Sequence, residues 1–254
     1  MNKIKVALFV DEYFGAVDTV YGGYGFLARH LVAKHLPDES VDVDVILRHN
    51  KKKTMQPECH IVDNRKVYVL ANKLFWLSNY LFFLKKKYDV FLTIEMTTNS
   101  YRILRMLPGL RSKILFWVQD PRPTYEWEEI ETVKLFPEKS YWKPKVYRFV
   151  HQLWQKGYIR FVTQATCLEQ KARDLYALDN QTPIDYLPNP IEFDKSFNPL
   201  TYKKKNQIVF LGRIESVKRG WLFCEIAKQL PEYEFFMLGK VRISRQFLLG
   251  RLAS

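Results

Sequence analysis

Residues 4–10 read Ile-Lys-Val-Ala-Leu-Phe-Val, and after a polar loop Gly22-Gly23 precede a run in which apolar residues recur at helical spacing. The first stretch is a short, nearly continuous apolar run, which is the pattern of a buried strand. The apolar side chains of the second run share one predicted helix face: Phe26, Leu27, Leu31, Val32 and Leu36. Strand, glycine turn and amphipathic helix together predict the opening of a βαβ unit.

The same alternation of short apolar runs and helical-period runs continues along the chain. Further strands are predicted at residues 43–47, 67–70, 90–94, 114–118 and 159–163. Helices are predicted at residues 72–87, 98–107, 142–156 and 167–176, and Pro108-Gly109 should stop the second of these. Strands and helices in alternation predict an α/β fold, with a Rossmann-type parallel sheet covered by helices on both faces.

A change in composition near residue 187 predicts a domain boundary. The sequence Leu187-Pro188-Asn189-Pro190 continues neither a ladder nor a helix. We therefore predict an N-terminal domain over residues 1–190, a linker over 191–206 and the start of a second domain over 207–254. The last holds one βαβ unit, with strands at 208–211 and 233–238 around a helix at 221–230. One such unit cannot close a core, so we expect this second domain to be incomplete.

Composition indicates an ordinary globular protein with a basic tail. The 254 residues are 47% apolar and 26% charged, which excludes global disorder. The net charge is +13, and residues 203–254 hold 11 basic and 4 acidic residues. That excess suits a phosphate-bearing ligand, a nucleic acid or an anionic membrane surface.

Cysteine usage and hydropathy indicate the compartment. The three cysteines are scattered, which predicts reduced thiols and a cytoplasmic protein: Cys59, Cys167 and Cys224. The apolar run at residues 6–10 is too short for a signal sequence, and the one at 74–84 is too short to span a bilayer.

Residues 71–87 are aromatic and end in three lysines. They predict a crossover helix packed on the sheet, with docking on anionic lipid as the alternative.

Polar residues follow several predicted strands, where the carboxyl ends of a parallel sheet bind ligands. These candidates are Asp11, Glu95, Gln119 and Asp120. Asp120 is a candidate base or acceptor of a substrate hydroxyl, and the alternative is a turn aspartate before proline. For Glu95 the alternative is a salt-bridged loop residue, and for Asp11 a solvated strand end is favoured over sugar binding.

The predicted turn of the second domain carries the residues that fit a phosphate. Gly212 lets the backbone leave the strand tightly, and Arg213 and Lys218 lie on the turn before the helix. Two cations beside a helix N-terminus suit a diphosphate, and the alternative is a pair of solvated surface charges. Gly22 and Gly23 allow a similar close approach or a plain turn, and they form neither a G-x-G-x-x-G fingerprint nor a Walker motif.

Several other classes of function are disfavoured. The five histidines lack metal-ligand spacing and no cysteine cluster lies near them, so we predict no structural zinc. The expectation of no metal and no cofactor beyond that rests on the family resemblance given below. An α/β-hydrolase would carry a G-x-S-x-G elbow, which does not occur. The lysine runs at 51–53, 85–87 and 203–205 lack regular aromatic interleaving, so nucleic-acid binding is not predicted.

Four stretches together resemble one enzyme family. They are Gly22-Gly23, residues 119–123 (Gln-Asp-Pro-Arg-Pro), residues 187–194 (Leu-Pro-Asn-Pro-Ile-Glu-Phe-Asp) and residues 209–220 (Val-Phe-Leu-Gly-Arg-Ile-Glu-Ser-Val-Lys-Arg-Gly). The chain is similar to the first part of retaining glycosyltransferases of family 4, which have the GT-B fold. Gln119 departs from the histidine that relatives often carry. Relatives also have two glutamates eight positions apart late in the second domain, and no glutamate pair after Arg213 has this spacing.

This resemblance implies a metal-independent transfer of sugar from a nucleotide sugar to a glycan or lipid-linked acceptor, with retention of configuration. It implies that Gly212, Arg213, Lys218, Gly22 and Gly23 bind the donor diphosphate. Asp120 is then the catalytic candidate. The acceptor or sugar side is lined by Asp11, Glu95, Gln119 and Asn189. A setting in polysaccharide or glycolipid assembly at the inner membrane face fits this interpretation.

Three alternatives remain open at the level of sequence. Because the resemblance covers only the first part of such an enzyme, we expect this chain to bind donor weakly. One alternative is therefore a non-catalytic sugar-nucleotide-binding or scaffold remnant. A basic nucleic-acid-binding protein and a sugar-nucleotide epimerase of similar architecture are the others.

Overall fold

The computed structural model describes residues 3–48, 54–105, 113–132, 143–191, 196, 206–214 and 218–239. Its strands, in chain order, are β1 (Ile4–Val10), β2 (Val41–Leu47), β3 (Glu58–Val62), β4 (Arg65–Val69), β5 (Val90–Ile94), β6 (Lys113–Val118), β7 (Ile159–Thr163), β8 (Ile184–Tyr186), β9 (Gln207–Leu211) and β10 (Glu234–Leu238). The helices are α1 (Gly23–Phe26), α2 (Ala33–His35), α3 (Phe75–Lys86), α4 (Thr98–Leu104), α5 (Thr124–Thr132), α6 (Pro144–Gln155), α7 (Glu169–Tyr176) and α8 (Gly220–Gln229). A π-helical stretch, Leu27–Val32, joins α1 to α2, and short 3-10 turns lie at Ala16–Asp18 and Thr166–Leu168.

An eight-stranded sheet organises the N-terminal part of the chain. Its strand order is β3-β4-β2-β1-β5-β6-β7-β8, and every neighbouring pair is parallel except the β3–β4 hairpin. The order runs outward from β1 in both directions, with β2 on one side and β5 on the other. This is the arrangement of a Rossmann-like α/β fold, in which the strand order reverses beside β1.

The core lies on both faces of β1, as its continuous apolar run predicts. On one face Leu8 and Val10 pack with Leu27 and Leu31 of the first helical segment. On the other face the Phe9 ring lies 5.9 Å from the Phe83 ring of α3, centroid to centroid. Helices therefore cover both faces of the sheet, which is the environment that a parallel sheet requires.

Most predicted elements are confirmed within a few residues. The structure gives the predicted bounds for β1, β5 and β7, and Gly22 is the residue that caps α1. Three elements were not predicted: β3, α5 and β8. The second predicted helix ends at Leu104, and Pro108-Gly109, its predicted stop, lies outside the described residues.

A buried asparagine fixes the start of α3 against the sheet. The Asn79 amide donates to the backbone oxygens of Ala71 and Phe75, at 2.9 and 2.8 Å, and accepts the Ala71 N–H at 3.0 Å. Asn79 and Phe83 are the buried residues of this helix. Because buried amides must keep their partners, these three bonds orient α3 with Phe83 toward the sheet.

The chain divides into two compact units. Unit 1 comprises Met1–Arg122 and Lys143–Glu192, and unit 2 comprises Pro123–Trp142 and Phe193–Ser254. The predicted domain boundaries at 190 and 207 stay a prediction. Of the predicted linker over 191–206, the structure describes residues 191, 196 and 206.

Unit 2 contains the predicted βαβ motif. Strands β9 and β10 are parallel, with Phe210 opposite Met237, and α8 connects them. The Phe223 ring of α8 lies 5.6 Å from Phe210 and 5.2 Å from Phe235, so this helix covers one face of the two strands. The alternate side chains are exposed: Val209, Leu211, Phe236 and Leu238.

Candidate functional site

Polar side chains lie together where the strand order reverses, at the carboxyl ends of β1 and β5, and we call this position the crevice because folds of this kind bind ligands there. Asp11 directly follows β1, and the Asn99 side chain at the start of α4 donates to it at 3.1 Å. Burial raises the pKa of Asp11, whereas hydrogen bonds from Thr97 and Asn99 and the nearby charges of Arg48 and Lys143 oppose that shift. Asp11 is exposed at the end of β1, as the favoured interpretation expects, and its carboxylate also accepts a hydrogen bond from Asn99.

Two cations at this crevice were not predicted. Arg48 follows β2 and donates through Nη1 to the Asn99 side-chain oxygen at 3.0 Å. Its buried Nε has no hydrogen-bond partner within the described ranges. Lys143, just before α6, donates to the Thr98 hydroxyl at 3.0 Å. The signal for Arg48 was present in the sequence, because it follows a predicted strand, whereas Lys143 reaches the crevice only through the tertiary fold.

Glu95 ties the end of β5 to the segment after β6. Its Oε1 accepts the backbone N–H groups of Gln119 and Asp120, both at 2.8 Å. Removal from water raises the pKa of Glu95, and the Asp120 charge adds to that shift. Glu95 also has a φ of 65°, in the left-handed region that a non-glycine residue adopts at some energetic expense. Glu95 therefore bridges two loops through backbone hydrogen bonds, and within the described residues no ion pair of the kind that the alternative interpretation expects is found.

Asp120 has a close internal partner. Arg122 forms an ion pair with it, and the Arg122 Nε lies 3.1 Å from the Asp120 Oδ1. The Asp120 side chain remains 40% exposed. The carboxylate of the catalytic candidate is therefore accessible, while its charge is balanced by the arginine two residues later.

Three amides form a second cluster at the ends of β6 and β7. Asn189 donates to the side-chain oxygens of Gln119 and Gln164, at 3.0 and 2.6 Å. Gln119 is nearly fully buried. Its Nε2 and the Asn189 Oδ1 are buried without a hydrogen-bond partner in the part of the chain that the structure describes. The two predicted residues Gln119 and Asn189 are thus brought together, with Gln164 as a member that was not predicted.

The glycines at the start of α1 accommodate a carboxylate of the chain itself. The Gly25 N–H donates to the Glu12 Oε1 at 2.9 Å. A Cβ atom added at Gly22 would lie 2.1 Å from that oxygen, and one at Gly25 would lie 2.6 Å from the Phe14 backbone nitrogen. At Gly23 no atom lies within 4 Å. Glu12 therefore takes the position at this helix N-terminus that the predicted close approach of a phosphate would use.

The predicted diphosphate turn lies in unit 2. The Gly212 N–H donates to the Leu238 oxygen at 3.0 Å, and a Cβ at Gly239 would lie 1.7 Å from the Gly212 oxygen. The ends of β9 and β10 are therefore in close backbone contact. Arg213 and Lys218 are exposed on either side of residues 215–217, which lie outside the described ranges.

Helix α8 begins directly after this turn. Its N-cap is Arg219, with a φ of 52°, and its first residue is Gly220. The Arg219 guanidinium lies 2.8 Å from the Glu129 carboxylate of α5 in an exposed ion pair. Free N–H groups at the start of a helix attract anions, and the two neighbouring cations have the matching charge.

Three further observations concern metal ligands, cysteines and membrane-spanning helices. No group of three or more His, Cys, Asp or Glu suited to a metal ion is found among the described residues. The cysteines are unpaired and exposed: Cys59, Cys167 and Cys224. Within the same described ranges, every helix is too short or too polar to cross a bilayer.

Comparison with known proteins leaves the family open. No protein-family model matches the chain. A search of curated proteins likewise finds no match. The α/β fold, the crevice of unit 1 and the basic turn of unit 2 are therefore the grounds on which a function is proposed.

Proposed function

We propose that the chain acts as a GT-B-type glycosyltransferase, which moves a sugar from a nucleotide sugar to a glycan or lipid-linked acceptor. The observation that carries this proposal is the turn of unit 2. There the parallel strand β9 ends at Leu211, Gly212 and the exposed Arg213 and Lys218 follow, and the N-terminus of α8 comes next. Backbone N–H groups and two cations at one turn suit the diphosphate of a nucleotide.

The residues divide into two roles in this proposal. Arg213 and Lys218 offset the charge that develops on the departing nucleoside diphosphate, which stabilises the leaving group in the transition state. In unit 1, Asp11 and Asn99 supply a carboxylate and an amide that bind sugar or acceptor hydroxyls. The exposed carboxylate of Asp120 is the candidate proton acceptor for an attacking hydroxyl.

A second candidate function is sugar-nucleotide binding without transfer. Two observations favour it: Asp120 is paired with Arg122, and Glu95 accepts two backbone N–H groups. Both carboxylates therefore have structural partners. A module of this kind would bind the nucleotide through the same turn in unit 2.

Neutralising the basic turn is expected to abolish most nucleotide binding. The test is calorimetric titration of UDP, GDP and dTDP into the wild type and into the Arg213→Gln, Lys218→Gln double variant. Hydrogen bonds to charged groups contribute about 1.5–3 kcal/mol each, so we expect roughly a hundredfold weaker binding of the preferred nucleotide. The matched control is Lys85→Gln, Lys87→Gln, which removes the same charge from exposed positions of unit 1.

Nucleotide binding and sugar release together distinguish the transferase from the binding module. Equal affinity of the wild type and the turn variant for every nucleotide contradicts both candidate functions. Nucleotide binding together with release of sugar from the matching nucleotide sugar supports the transferase. Nucleotide binding without any sugar release supports the binding module.

A further inference from the structure

Helix α3 has an apolar face that points away from the sheet. Its exposed members recur at helical spacing, with Leu77, Leu81 and Leu84 at positions i, i+4 and i+7. We call this the outer leucine–tryptophan face. Its residues and exposed fractions are Leu74 (63%), Trp76 (49%), Leu77 (59%), Leu81 (54%) and Leu84 (41%).

The core beneath α3 is complete without these residues. Phe83 packs on Phe9 and Phe91, with ring centroids 5.9 and 5.7 Å apart, and Asn79 anchors the helix to the backbone of Ala71. A helix that covers a sheet normally turns polar residues to water on its opposite side. The outer leucine–tryptophan face does the reverse, and none of its members belongs to the buried core of the described residues.

The charged side chains of α3 and its flanking residues are all basic. Residues 71–88 contain no aspartate or glutamate. Lys73, Lys85 and Lys87 are exposed at the two ends of the helix. The Arg105 guanidinium lies 5.7 Å from the centre of the Trp76 ring. Lys86 instead lies over the Tyr68 ring and 3.8 Å from the Asp44 carboxylate, so it is not counted among these exposed lysines.

We propose that the outer leucine–tryptophan face docks on the surface of an anionic lipid bilayer. Leucines and a tryptophan enter the boundary between headgroups and acyl chains, while lysines at both helix ends meet anionic headgroups. A tryptophan ring suits this boundary because it has an apolar body and a polar N–H. Pairing of two copies through this face would bring the lysines of both chains together, which disfavours self-association.

The docking surface adjoins the crevice of unit 1. The Arg48 guanidinium stacks on Phe75, the first residue of α3, at 4.5 Å from the ring centre. Arg48 then donates to Asn99, and Asn99 donates to Asp11. Docking through α3 therefore brings the crevice next to the bilayer. Access to a lipid-linked acceptor is the one consequence that also rests on the proposed transferase function.

Vesicle co-sedimentation of the full chain tests the proposal. The vesicles are phosphatidylcholine and phosphatidylglycerol in equal parts, compared with phosphatidylcholine alone. We expect the wild type to bind the anionic vesicles more strongly, and Leu77→Ser, Leu81→Ser to weaken this binding about tenfold or more because apolar burial supplies much of the affinity. Lys85→Gln, Lys87→Gln should lower the preference for anionic vesicles and its sensitivity to salt.

Two controls test whether the outer leucine–tryptophan face is the binding surface and whether it binds a bilayer or a second copy of the chain. The Ile61→Ser, Ile191→Ser variant removes two exposed apolar residues elsewhere in unit 1 and should bind as the wild type does. Absence of wild-type binding, or undiminished binding by the leucine variant, overturns the proposal. A wild-type dimer in sedimentation equilibrium that the leucine variant abolishes would identify a second copy as the occupant and would also overturn it.

The membrane proposal and the nucleotide proposal fail independently. The leucine variant should keep the nucleotide affinity of the wild type, and circular dichroism and thermal unfolding check separately that its unit 1 is folded. The Arg213→Gln, Lys218→Gln variant should keep its vesicle binding. Loss of vesicle binding in the turn variant to the extent seen in the leucine variant would assign the interaction to total charge, and that outcome contradicts docking through α3.

Discussion

Replacing Glu95 with alanine should lower the free energy of unfolding by about 3 kcal/mol, because two backbone N–H groups lose a charged acceptor at once. These are the N–H groups of Gln119 and Asp120, each 2.8 Å from the Glu95 Oε1. Chemical denaturation of both proteins measures the difference. The segment that carries the candidate catalytic Asp120 should also lose its anchor.

A glycine variant separates the role of the carboxylate from that of the backbone. Glu95→Gly removes the same carboxylate, but glycine adopts the φ of 65° at this position without strain. Glu95→Gly should therefore be about 1 kcal/mol more stable than Glu95→Ala. Equal stability of wild type and Glu95→Ala would show that the two hydrogen bonds contribute nothing net.

The same carboxyl group gives a pH dependence with a defined sign. The pKa of Glu95 lies above its ordinary value of 4.5 in the folded chain, mainly because burial disfavours the charged form. The folded chain therefore holds this proton more tightly than the unfolded chain, and its stability falls as the pH rises from the ordinary pKa through the raised one. Relative to Glu95→Gln, the wild type should gain stability as the pH is lowered through that interval. A relative gain on raising the pH would contradict the assignment.

Alanine at Gly25 is expected to destabilise the chain by about 2–3 kcal/mol, because the new methyl group has no space. It would lie 2.6 Å from the Phe14 backbone nitrogen and 3.2 Å from the Glu12 Cγ, and backbone cannot move aside as a flexible side chain can. The displacement should also break the bond from the Gly25 N–H to Glu12. The midpoint of thermal or chemical unfolding reports the loss.

Gly23 supplies the matched control on the same helical turn. A Cβ atom there meets nothing within 4 Å, and alanine favours helix over glycine by about 1 kcal/mol. Gly23→Ala should therefore leave stability unchanged or raise it slightly. If both alanine variants have the stability of the wild type, the close packing of α1 on the loop after β1 is wrong.

The sequence predicted the central strands well and the margins of the sheet poorly. β1, β5 and β7 are short apolar runs because they are buried on both sides, and such runs are distinctive. β3 alternates between partly buried and exposed residues at the sheet edge, and its stability comes from antiparallel pairing with β4. β8 has only three residues. Local pattern carries little information about either edge strand.

Helix α5 was missed for a related reason. In Thr124–Thr132, Trp127 and Ile130 are the buried residues, and the rest is largely acidic or polar. Two apolar positions three apart give too weak a period to separate a helix from a loop. By contrast, the helices at α3 and α6 have several apolar residues per turn and were predicted.

In the candidate site, too, some features could be predicted from the sequence and others could not. Residues placed directly after central strands, such as Asp11 and Glu95, were found because the carboxyl ends of parallel strands share one edge. Their partners depend on tertiary structure: Glu12 reaches Gly25 across a loop, and Asn189 meets Gln119 from 70 residues away. No local spacing encodes such contacts. The sequence therefore predicted the positions of polar groups, while the structure assigned their hydrogen bonds.

The exposed thiols allow each of the two units to be labelled with its own dye. Cys167 lies in unit 1 on the short turn before α7, and Cys224 lies in unit 2 on α8. A Cys59→Ser background leaves one reactive sulfur in each unit for a donor and an acceptor dye. Energy transfer between the two dyes, followed during a nucleotide titration, measures whether the ligand changes the distance between the two labels.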